Sequence, residues 1–228
     1  MSETSRRALS PRLVSFFILL YGAVLLVRGV EPLGSFLEGL GPLGPTYPLF
    51  AVTLALAVIA VRRGGLGAIG LDFRLSWWWL PILAVIGIVA RIAMSIVSGI
   101  LKDASGAEAA DQSRFETSSV PEVLLLIATA WIIGAMAEEV LHRGVILPWL
   151  ARIFGETWIA WAGAVILGSL FFGIGHLYQG WAGVIGAAGG AMVWSLLYLV
   201  SKRSVWPGVI GHGAVNALGL WSLMSPPV

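Results

Sequence analysis

Apolar residues fall in long, nearly uncharged blocks, at about 12 to 28, 47 to 61, 77 to 101, 120 to 141, 157 to 176, 182 to 200 and 205 to 224. Each is close to the roughly 20 residues that cross a 30 Å hydrocarbon core as α-helix, and none shows the residue-by-residue alternation of a membrane β-strand. The pattern predicts an all-α, polytopic helical membrane protein with about seven to eight transmembrane helices. The composition agrees: 58% of residues are hydrophobic and 11% charged, and the mean hydropathy is +0.90. A water-facing surface normally draws on roughly a quarter charged residues.

Several function classes drop out. The chain has no cysteine, which excludes disulfides, thiolate metal sites, a cysteine nucleophile and cysteine lipidation. The net charge of +2, with no run of basic residues, gives no electrostatic footprint for nucleic acid. Partners are expected in the lipid bilayer. The basic lead and first apolar block raise a secretory signal peptide, but Arg28 stands where small residues would mark cleavage, so an uncleaved first span is expected. Neither an internal repeat nor a soluble module interrupts residues 1–228, which read as one membrane domain.

Arg6, Arg7, Arg12, Arg62, Arg63, Arg74, Arg152, Lys202 and Arg203 lie in alternate connections, while the segment from 102 to 120 is mainly acidic. The positive-inside rule predicts a multi-pass protein of the cell membrane with a cytoplasmic N-terminus and an external 102 to 120 loop. Trp77 to Trp79 read as an interfacial anchor, and Gly186 with Gly190 as a close helix contact. Segment 144 to 154 is too short to cross alone and contains Pro148. It reads as a kinked continuation of the fourth span or as an interfacial helix, and the bend into the interface is the expectation adopted here.

The chemistry gathers in the second half. A charge at mid-span costs roughly 2.5 to 3.5 kcal/mol on insertion scales, so Glu138, Glu139 and Arg143 need partners or a wet cavity. Glu139 and Arg143 have the spacing and order of a same-face ion pair and read as structural. Glu138 is turned about 100° away, so it is the carboxylate left for chemistry. His176 ends one apolar block, on a face with Phe172; His212 and Asn216 are spaced to share another face and offer two donors to one point. If the chain reverses near Gly155, Glu138 and His176 come to similar depth, with the bend at Pro148 bringing in His212.

Glu138, Glu139 and Arg143, then Phe172 and His176, then His212 and Asn216, in that order on successive spans, resemble the CAAX protease and bacteriocin-processing family. This family of intramembrane proteases, once called abortive-infection proteins, includes the type II CAAX prenyl endopeptidases. The resemblance covers roughly residues 120 to 220 and includes the frame "SVWPGVIGHGAVN"; the first 115 residues are similar only in being membrane spans. His142 stands before Arg143 where the family commonly has an aromatic residue, and it is left off the catalytic set.

The resemblance implies an endopeptidase in which Glu138 and His176 activate water while His212 and Asn216 bind the oxyanion, with Glu139, Arg143 and Phe172 as support. The substrate would be a peptide or lipidated protein in the membrane. No cofactor is favoured. The alternative is zinc held by Glu138, His176 and His212, since family members have also been described as metalloproteases. Two other readings remain: a non-catalytic immunity or scaffold protein that keeps the motif as a polar packing core, and a small proton-coupled carrier. The broken repeats of many carriers are not visible.

Overall fold

A computed structural model describes residues 47–72, 74–105 and 115–224, together with Ser15 and Gly39. The first expected block, 12 to 28, apart from Ser15, the basic residues Arg6, Arg7 and Arg12, and residues 106–114 of the expected external loop lie outside the described residues. Among the described residues the long elements are all helical: α1 (Tyr47–Gly64), α2 (Trp79–Ser105), α3 (Val120–Ile153), α4 (Trp158–Ile174), α5 (Gly180–Val200) and α6 (Trp206–Ser222). Pairing of the β type is limited there to an isolated bridge between Thr117 and Met224.

Three of these helices, α2, α3 and α5, are long and apolar enough to cross a membrane, and α4 is a shorter apolar helix. The protein is a helical membrane protein; the span number of seven to eight is an expectation that extends beyond these three. The outer face of α2 fits a lipid environment. Val85, Val89, Ile96 and Ile100 stay 58 to 62% exposed, at helical spacing, where water would penalise such a stripe. Its inner face carries Leu83 and Ala84, both buried, and continues through Gly87 and Arg91 toward α5.

The basic connections share one end of the bundle. Val205 N–H donates to the Gly70 carbonyl at 2.9 Å, Trp206 Nε1 donates to the Leu71 carbonyl at 2.8 Å, and the Arg203 guanidinium lies 4.4 Å from the Trp161 ring centre. These ties gather the loops that hold Arg74 and Arg203 beside the start of α4. The chain reverses at Gly155, where φ is 95°, and Thr157 caps α4 by accepting the Ala160 N–H at 3.1 Å. A threonine oxygen satisfies one of the orphan donors at a helix start.

Pro148 does not launch an interfacial helix. The helical run continues unbroken from Val120 to Ile153, and Val145, Ile146, Leu147 and Ala151 are buried in the main apolar core with Leu56 and Ala164. The continuation, and not the bend into the interface, is the arrangement found. Wide π-type turns occupy Ala130–Ala137 and Val140–Ile146, and the Leu147 N–H reaches back to the His142 carbonyl, five residues away. Such turns ease the clash of a proline ring with the carbonyl behind it and advance less along the axis per residue. Straight-helix counting therefore overstates how far Glu138 and Glu139 lie from the basic end.

Candidate active site

The two glutamates stand between the two wide stretches of α3, which sets their direction. Glu139 is 0% exposed and Arg143 1%, and Arg143 Nη1 donates to Glu139 Oε1 at 3.0 Å. The arginine's other amino group donates to the Ala191 carbonyl on α5 at 2.9 Å. The expected same-face pair is present, and it also ties α3 to α5.

Glu139 does more than the sequence suggested. His212 Nδ1 lies 3.0 Å from the same Oε1, so this one carboxylate oxygen joins α3 to α6. A carboxylate accepts and cannot donate, so the proton between them belongs to Nδ1. Nε2 is left as the nitrogen able to meet a substrate. Trp194 of α5 stacks on the His212 ring at 5.9 Å with 14° between planes, fixing the imidazole from its flat side. Close backbone approach completes the clamp: a Cβ on Gly208 would stand 2.6 Å from Glu139 Oε2.

Phe172 is the hub of the remaining groups. Its ring centre lies 4.8 Å from that of His142, 4.7 Å from His176 and 6.4 Å from His212, while the Arg143 guanidinium carbon is 5.1 Å away. All three histidines of the chain thus surround one phenyl ring. His142 belongs to this group, edge-on to Phe172 and 5% exposed, although the sequence pattern gave it no place.

His176 lies just past the end of α4, in the turn before Leu177–Gln179, and its N–H donates to the Gly173 carbonyl at 2.8 Å. It is a terminal residue, as the end of the apolar block at His176 implied. Its Nδ1 is 3.0 Å from the Phe172 carbonyl, so here too Nδ1 is the donor. Asn216 faces α3 one turn before the glutamates, with Nδ2 only 3.3 Å from where a Cβ on Gly134 would sit. Glu138 is partly buried and acts electrostatically on Arg143 together with Glu139.

Among the described residues no three histidine or acidic side chains stand close enough together to hold a metal ion. Glu138, His176 and His212, the set of the zinc alternative, are among these residues, and Nδ1 of His176 and of His212 each faces a protein oxygen.

Helices α3 to α6, which bring these groups together, coincide with a recognisable family segment: residues 120–218 match the model for Type II CAAX prenyl endopeptidase Rce1-like proteins. No curated protein and no solved structure matches the chain. Over that segment, 99 of its 228 residues, the chain is thus similar to the Rce1-like type II CAAX prenyl endopeptidases.

Proposed function

We propose that the protein is an intramembrane endopeptidase that hydrolyses a peptide bond in a membrane-borne peptide or lipidated protein. The observation that carries this reading is the Glu139 to His212 contact at 3.0 Å. Burying a carboxylate to orient one imidazole is costly in lipid, and the cost is offset where that imidazole meets a reacting group. A packing core alone would need only the Glu139 and Arg143 pair.

In this mechanism Glu138 removes a proton from water and the hydroxide adds to the scissile carbonyl carbon. His212 and Asn216 stabilise the oxygen that gains negative charge, which asks of His212 a proton on Nε2 as well as on Nδ1. Collapse of the tetrahedral adduct breaks the C–N bond, and the proton taken from water passes to the leaving amine by way of Glu138, with His176 assisting the transfer. No metal takes part. The seven to eight spans, the cytoplasmic N-terminus and opening of the site near the cytoplasmic side belong to the same proposal.

The test is cleavage of a peptide library by the purified protein in nanodiscs. Glu138→Ala and His176→Ala are expected to abolish cleavage while leaving insertion and thermal stability unchanged. Retained cleavage in either variant refutes the assignment, and loss with a chelator restored by zinc refutes the metal-free chemistry.

A further inference from the structure

Arg91 lies in the middle of α2, 12 residues after Trp79 and 14 before Ser105, or about 18 and 21 Å from the two ends. With a hydrocarbon half-thickness of about 15 Å, its charge sits near the midplane, far from either headgroup layer. Arg143 meets the same difficulty with Glu139 and a backbone carbonyl. Arg91 does not: its Nη1 donates to Ser95 Oγ, and among the described residues no carboxylate pairs with it.

The bundle nevertheless makes room for this side chain. A Cβ on Gly190 would stand 2.6 Å from Arg91 Nε and 2.7 Å from its Cδ, so the stem lies along a slot that only glycine leaves open in α5. Its neighbour Ala191 accepts the hydrogen bond from Arg143. Two other contacts give the depth. Gly87, one turn earlier on α2, packs on Trp194, the residue stacked on His212. Gly211 of α6 packs by the Ala84 carbonyl. Because α2 and α6 both run antiparallel to α5, counting on from that contact puts Asn216 beside residue 89, about 3 Å in depth from Arg91. A guanidinium therefore stands at the level of the proposed oxyanion donors.

Resting on the protease reading above, we infer that Arg91 is a substrate-positioning residue that receives a carboxylate of the membrane-borne peptide. A guanidinium keeps its charge and matches the two oxygens of a carboxylate with parallel donors. In lipid that pairing is worth most when the protein supplies no competing anion. The carboxylate has two sources, the free C-terminus of the peptide or an acidic side chain near the scissile bond.

The test uses a fluorescent acylated apolar peptide in three forms: free C-terminal acid, C-terminal amide, and amide with one internal glutamate. Binding and cleavage are measured with the full chain in nanodiscs. The parent protein is expected to bind the acid form, the internal glutamate form, or both at least ten times more tightly than the plain amide. Arg91→Gln is expected to erase that preference by raising Kd and KM for the favoured form, with kcat and the plain amide little changed. Arg91→Lys is expected to restore part of it. Equal binding of all three forms by the parent protein overturns the inference even if Arg91→Gln fails to fold, and so does a uniform loss across the three forms in a folded Arg91→Gln. Carboxylate-dependent binding without cleavage of any peptide leaves the Arg91 site standing and removes the protease reading.

Discussion

Replacing Glu139 by glutamine tests the central clamp, because the side chain keeps its shape and loses only its charge. Glu139 Oε1 accepts from Arg143 Nη1 and from His212 Nδ1, both at 3.0 Å, in a site where the glutamate is 0% exposed. Hydrogen bonds to a charged group contribute about 1.5 to 3 kcal/mol and neutral ones about 0.5 to 1.5, so converting two bonds removes about 2 to 3 kcal/mol. For a chain of this size that is a fall in Tm of about 4 to 12 °C, read by intrinsic fluorescence in detergent. Arg143→Met alone is expected to cost about 3 to 5 kcal/mol, since it leaves a buried carboxylate without its cation. The double variant should recover much of the loss, because removing both members of a buried pair is often neutral. Peptide cleavage should fall by about tenfold or more in Glu139→Gln, as each 1.4 kcal/mol at the transition state is a factor of ten. Additive losses in the double variant, or a Glu139→Gln protein that melts with the parent, would refute the claim that this carboxylate organises the site.

Two further outcomes follow from the same geometry. Asn216→Ala should lower kcat by about a hundredfold to a thousandfold with little change in Tm, the loss typical of one oxyanion donor; single-turnover cleavage checks it. Gly208→Ala pushes a methyl group to 2.6 Å from Glu139 Oε2 and should cost about 1 to 3 kcal/mol of stability, the usual range for overpacking, together with cleavage; melting curves and the peptide assay read both.

The helical class, the reversal at Gly155 and the ion pair of Glu139 with Arg143 were legible because each depends on local physics: block length, a glycine turn and a one-turn spacing. The link from Glu139 to His212 was not. It joins residues 73 apart, and no periodicity on either helix reveals which of two adjacent carboxylates will reach a third helix. The one-turn rule gave Glu139 to Arg143 and stopped there, although a carboxylate oxygen has room for a second donor. His142 was missed for a similar reason, since its neighbour Phe172 lies on α4. Pro148 misled because the wide turns before it, which let the helix carry on, leave no mark in the amino-acid pattern. The Gly186 and Gly190 pair announced a close contact, yet only the fold shows that what lies against Gly190 is an arginine stem.

The wide turns on either side of Glu138 and Glu139 act as a phase setter for α3. Each places an extra residue in the winding, and deleting one residue from either stretch would swing the helix beyond it by about 100°. That is the angular offset between two neighbouring acids, so a deletion within Val140–Ile146, with the rest of α3 after it held in place, presents Glu138 to His212 in place of Glu139. Which of two chemically identical groups holds the imidazole and which is left for water is thus written in the helix's pitch and not in the side chains themselves.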